Sequence, residues 1–96
     1  MAGANELIHQ SLRLKIMAAL NAARRDGPLD FTRLRALVEA SDGNLSTHLS
    51  TLEAAGYVML ERAFVGKKPR TRITMTGEGA TAFRAHVAYL RDLLSE

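Results

Sequence analysis

Two consecutive stretches decide the fold of this chain: Ser41–Gly56, SDGNLSTHLSTLEAAG, and Tyr57–Gly79, YVMLERAFVGKKPRTRITMTGEG. In the first, Leu45, Leu49 and Leu52 recur at helical spacing and define an inner face. Gly43, Thr47, Ser50 and Ala54 point the other way, flanked by Asn44, Ser46 and Thr51. Those outward residues are small and uncharged. Ser41 or Asp42 can cap the start, and Gly56 is a natural stop. The predicted helix is roughly 18 Å long. In the second stretch, Tyr57–Val65 is β-prone, Gly66-Lys67-Lys68-Pro69 reads as a turn, and Arg70–Thr76 returns with Ile73 and Met75 on one face. The result is a basic hairpin directly after a helix with a small polar outer face.

Upstream, a first helix is expected from about Asn5 to Ala23. One apolar stripe runs through Ile8, Leu12, Ile16, Leu20 and Ala23, and a second through Leu7, Leu14 and Ala18. A surface helix needs only one buried stripe. Arg24-Arg25-Asp26-Gly27-Pro28 breaks that helix. Leu29 is expected in a short strand. Asp30 is expected to cap a second helix that buries Phe31, Leu34, Leu37 and Val38. Downstream of the hairpin, Thr76 can cap a last helix. Ala80, Phe83, Val87, Leu90 and Leu94 lie on one side of it, with Ala82, His86, Tyr89 and Leu93 beside them. The expected architecture is mostly α with a small β-hairpin: a winged helix-turn-helix of order α-β-α-α-β-β-α with a long C-terminal helix, filling residues 1–96 as one domain.

Composition narrows the function. The chain has 96 residues, 47% of them hydrophobic, with a net charge of +3 and no cysteine. This length suffices for a single core. Disulfides, thiol chemistry and cysteine-based metal sites are excluded. No signal peptide or bilayer-spanning segment is visible, so a cytoplasmic location is expected, without membrane contact. No nucleophile–base constellation, phosphate-cradling glycine loop or carboxylate cluster is present, so no enzyme and no cofactor are expected. His9 and His86 lie on the terminal helices and could meet at an interface between copies. Without cysteines or a His-x-x-His spacing, no metal site is assigned to them.

A helix face free of carboxylates, beside a cationic hairpin, suits a double-stranded DNA groove. On this reading Asn44 and Thr47 approach base edges, Asn44 by bidentate pairing with adenine. Thr51 offers a hydroxyl or methyl, and Ser46 and Ser50 reach phosphates. His48 sits at the edge of the inner face. It can donate to DNA or bond a backbone carbonyl of the second helix. Lys67, Lys68, Arg70 and Arg72 gather on the wing and suit phosphate or minor-groove contact. Arg13, Lys15, Arg33 and Arg35 are weaker candidates for backbone contact. Both terminal helices carry more apolar surface than one small core can cover. A homodimer is therefore expected, with Leu7, Leu14, Tyr89, Leu93 and Leu94 at its interface, reading a palindromic operator.

Several motifs carry a resemblance. Leu12–Leu20, LRLKIMAAL, is similar to the opening helix of small prokaryotic winged-helix regulators, and Leu29–Leu34, LDFTRL, to their second helix. Asp42–Leu49 followed by Leu52–Val58 resembles their recognition helix and its exit. Arg70–Ile73 and Thr76–Gly79 resemble the returning wing strand and last helix. The family is the MarR/ArsR-like winged-helix transcriptional regulators, in a short form. The resemblance covers nearly the whole chain and implies a homodimeric, operator-binding regulator of transcription. It also implies a small-molecule effector pocket between the terminal helices and the DNA-binding core, although no residue names an effector. Thr47 stands where many relatives have arginine, and Gly77 where proline is frequent. Two other uses fit the same fold: a protein–protein interaction module without DNA binding, and a metal-responsive regulator.

Overall fold

A computed structural model describes residues 3–95. Five helices and three strands follow in the order α1 (Glu6–His9), α2 (Ser11–Ala22), β1 (Leu29–Asp30), α3 (Phe31–Val38), α4 (Asp42–Ala54), β2 (Val58–Val65), β3 (Lys68–Met75) and α5 (Gly77–Leu94), with a 3-10 turn at Arg24–Asp26. The strands form one antiparallel sheet in the order β1-β3-β2. Helices on one side of a small sheet enclose a single core of Ile8, Ile16, Met17, Leu20, Leu34, Val38, Leu45, Leu49, Leu52, Val58, Ile73, Met75, Ala80 and Phe83. The expected winged helix-turn-helix, with its long last helix, is the observed fold. No described helix is long and apolar enough to cross a membrane.

The first helix differs from its expected form. It is broken at Gln10, which is extended (φ −63°, ψ 133°). Each half carries its own N-cap: Asn5 Oδ1 accepts from Ile8 N–H at 3.0 Å, and Gln10 Oε1 from Arg13 N–H at 2.9 Å. Two satisfied caps offset the broken ladder, and the break lets Ile8 and Ile16 both reach the core. Met17 is buried where no stripe predicted it, whereas Ala18 is exposed.

Two expectations for the second helix also fail. Leu37 is 49% exposed rather than buried. Asp30 holds the N-cap position of α3 but makes no capping bond. Its carboxylate instead meets Arg70 at 3.0 Å and Arg72 at 3.7 Å, because β1 pairs Asp30 with Arg72 across the sheet. α3 ends at Glu39, which is left-handed (φ 55°) and turns the chain into α4.

α4 starts on Ser41, whose Oγ accepts from Asn44 N–H at 3.1 Å. It ends in a Schellman arrangement, with Tyr57 N–H donating to Leu52 O and Gly56 N–H to Glu53 O. Gly56 takes φ +81°, which that ending requires of its residue. Thr76 then ties α5 to this corner. Its hydroxyl donates to Gly56 O at 2.6 Å and accepts from Gly79 N–H at 2.9 Å.

The hairpin turn is tighter than predicted. Val65 pairs with Lys68, so only Gly66 and Lys67 form the loop. Gly66 supplies the positive φ (+65°) that a type II′ turn needs at its first loop position. Pro69 is tolerated inside β3 because β1 reaches only Arg72 and Ile73, leaving an open edge beside it.

Candidate nucleic-acid interface

α4 buries Leu45, Leu49 and Leu52 and leaves Gly43, Asn44, Ser46, Thr47, Ser50 and Ala54 exposed, with His48 and Thr51 half-buried. The inner and outer faces are those expected from spacing. Asp42 and Glu53, the two carboxylates of the helix, lie on a flank rather than on the outward face. Asp42 is partly offset by Arg35, whose Nε lies 3.0 Å from its carboxylate. The outward surface thus carries short hydroxyls, one amide and no negative charge. Thr51 donates its hydroxyl proton to Thr47 O at 3.2 Å. That leaves its lone pairs and its methyl for a partner.

Within the chain His48 does not bond the backbone carbonyl of the second helix expected for it. Its Nδ1 lies 2.9 Å from Nη1 of Arg13, on α2. Arg13 Nε also donates to Leu7 O at 2.6 Å. Arg13, expected only as a weak backbone contact, therefore bridges α1 and α4. No local pattern announces this pair, because its members stand 35 positions apart.

On the wing, Lys67 and Lys68 are exposed and make no ion pair among the described residues. Arg70 and Arg72 are anchored on Asp30. Such exposed pairs contribute little to stability, but they aim two guanidinium groups along the base of the wing. Arg62, also exposed on β2 opposite Thr71, adds a cation that no sequence motif singled out. The strand alternation that places it was legible there.

The apolar candidates on the terminal helices divide. Leu7 and Leu14 are half-buried against the core, and Tyr89 is half-buried beside His86. Leu93 and Leu94, near the end of α5, are 62% and 85% exposed.

His9 and His86, expected to meet at an interface between copies, meet within one chain. His9 Nδ1 lies 3.4 Å from His86 Nε2, and Asn5 N–H donates to His86 Nδ1 at 3.1 Å. The second bond puts the imidazole proton of His86 on Nε2, where it points at His9. Both ring nitrogens of this buried residue are thereby engaged in hydrogen bonds rather than open to a metal. Burial, and secondarily the nearby His9, hold the His86 pKa below the ordinary imidazole value. Among the described residues no group of three or more metal-ligating side chains converges. A concavity of about 830 Å³ lies between α2 and α3, lined in part by Lys15, Ala18, Leu29, Arg33 and Leu37.

Comparison with known proteins agrees with this geometry. The fold is similar to that of a transcriptional regulator homologue from Pyrococcus horikoshii OT3, with a TM-score of 0.83 and 23% identity, covering 94% of this chain and 86% of that one. A MarR-family transcriptional regulator from Silicibacter pomeroyi matches with a TM-score of 0.73 and 22% identity, over 91% of this chain and 56% of that one. MepR of S. aureus, in a complex with DNA, matches with a TM-score of 0.74 and 16% identity, over 94% of this chain and 74% of that one. At such identities the likeness is one of fold. The family model described as a winged helix DNA-binding domain matches residues 12–94, and the chain belongs to that family, a DNA-binding rather than a catalytic one.

Proposed function

We propose that this protein is a sequence-specific regulator of transcription that binds double-stranded DNA as a homodimer on a palindromic operator. α4 enters the major groove, and the β2–β3 wing holds the backbone or the adjacent minor groove. The observation that carries this reading is the carboxylate-free outer face of α4, followed directly in the chain by a wing whose Lys67 and Lys68 are exposed and make no ion pair among the described residues. A protein-docking face at α4 would more often expose aromatic or large aliphatic side chains; here the large apolar residues of α4 are all inside.

Asn44 and Thr47 are placed to read base edges, with Ser46, Ser50 and Thr51 beside them. Lys67, Lys68, Arg70 and Arg72 supply the charge contacts. The unpartnered Leu93 and Leu94, with Tyr89, Leu7 and Leu14, favour a two-fold contact between copies. That contact doubles the phosphate contacts available to a chain of net charge only +3. MepR, which shares the fold, has been captured on DNA.

Selection of bound duplexes from a random pool, at fixed and stated salt, tests this directly. The expected product is a palindrome with half-sites about one helical turn apart, roughly 10 base pairs. A pool that never enriches, or that enriches one unrepeated half-site, overturns the DNA reading or the dimer reading respectively.

A further inference from the structure

We propose that Arg13 is a positioning residue for DNA contact: it fixes the imidazole of His48 as the Nε2–H tautomer and aims that single donor at a phosphate oxygen. The inference rests on the DNA-binding reading above and adds to it a role for a residue outside the helix-turn-helix surface.

A guanidinium has only donors. The nitrogen of His48 that faces Arg13 Nη1 at 2.9 Å must therefore present a lone pair. The proton of the neutral ring then resides on Nε2. An imidazolium would set N–H against N–H and break the contact. Arg13 is held in place on both sides: its Nε donates to Leu7 O at 2.6 Å, and its own backbone N–H is capped by Gln10 at 2.9 Å. The break between α1 and α2 is what brings the Leu7 carbonyl to the Arg13 side chain and the Gln10 cap to its backbone.

His48 Nε2 makes no hydrogen bond among the described residues. By helical spacing His48 stands on the flank of α4, nearer the buried face than Asn44 and Thr51, which turn toward the outward face. A residue on the flank of a groove-bound helix meets the sugar–phosphate rail, whereas the outward residues meet bases. The cation behind the ring further favours an anionic acceptor. Arg13 thus acts through His48, with its Nε–H and one Nη1–H engaged inside the protein.

The test combines a double-mutant cycle with a salt titration, both on duplexes carrying the selected operator. Arg13→Met is expected to weaken binding at least about tenfold, the loss of a hydrogen bond to a charged group. In a His48→Gln background, where an amide N–H needs no tautomer, Arg13→Met is expected to change affinity less than twofold. The slope of log K against log salt should stay unchanged, since a neutral donor displaces no counterion. An Arg13 that touched DNA itself would lose about one unit of slope on substitution. Equal losses in both backgrounds, or a shallower slope, overturn the proposal. Should Arg13→Met fail to fold, ¹⁵N spectra of the unmodified protein decide: His48 must show a pyridine-type Nδ1 and a pyrrole-type Nε2, free and on DNA, and the reverse assignment overturns the proposal. A protein that binds no duplex at all fails the DNA-binding reading; one that binds while Arg13→Met costs nothing fails only this inference.

Discussion

Replacing Gly79 with alanine should destabilise the protein, against the usual sign of that change in a helix. Gly79 is buried in the first turn of α5. A Cβ there would overlap the Tyr57 carbonyl oxygen and lie 2.8 Å from the Tyr57 carbonyl carbon. These are backbone atoms, so no rotamer change relieves the clash. The same carbonyl accepts from Thr76 N–H at 3.1 Å, and α5 behind it carries Ala80 and Phe83 into the core. Helix propensity gains about 1 kcal/mol from glycine to alanine. Against it stand about 2 kcal/mol for forcing α5 off its seat and about 1 kcal/mol for the weakened Thr76 bond. The net loss is about 2 kcal/mol, or about 8–16 °C in Tm for a domain of this size. Gly77, two residues earlier, has nothing within 4 Å of a built Cβ. Gly77→Ala should leave Tm unchanged or raise it by a few degrees. Thermal and urea unfolding of both variants at one protomer concentration, to hold any association constant, provide the comparison. A Gly79→Ala protein as stable as its parent would refute the argument that close approach at Tyr57 dictates glycine.

Lys67→Ala with Lys68→Ala should weaken binding to all duplexes alike and flatten the salt dependence by about 0.9 for each phosphate no longer neutralised; sequence-dependent weakening in anisotropy titrations would contradict it. Asn44→Ala should chiefly relax specificity, costing about 1–3 kcal/mol on the preferred base pair and little on others; an unchanged base preference in competition assays would remove Asn44 from base reading. Leu93→Glu with Leu94→Glu should give monomers by sedimentation while leaving the fold intact by circular dichroism, since neither side chain enters the core. Stability should also fall on acidification through His86. Its neutral ring accepts from Asn5, faces His9 on α1 and stacks on Tyr89, while Tyr57 lies behind Asn5. Its folded pKa lies below 6.5. The contribution is therefore fully present above about pH 6.5 and is lost as pH drops from there toward the folded value, where the unfolded chain binds the extra proton. Urea midpoints of His86→Gln between pH 7.5 and 5 should show a shallower decline than the parent; parallel declines would assign the effect to other groups.

The order of elements, the two faces of α4, the hairpin and the length of the last helix were all legible from residue spacing. Leu45, Leu49 and Leu52 sit on one side at 3.6-residue period, and Ile73 and Met75 alternate in β3. Periodicity reports such features because they are set by neighbours in the chain. Tertiary structure decided the rest. The break at Gln10 lets α1 bury Ile8, and Leu37 is left on the wall of the open concavity between α2 and α3 rather than in the core. Asp30 leaves its capping role because the sheet brings two arginines to it. Arg13 meets His48, and Asn5 meets His86, across 35 and 81 positions of sequence. A local pattern records which face of an element is apolar; which polar partners meet across elements depends on how those elements dock, and that is fixed only when the core closes.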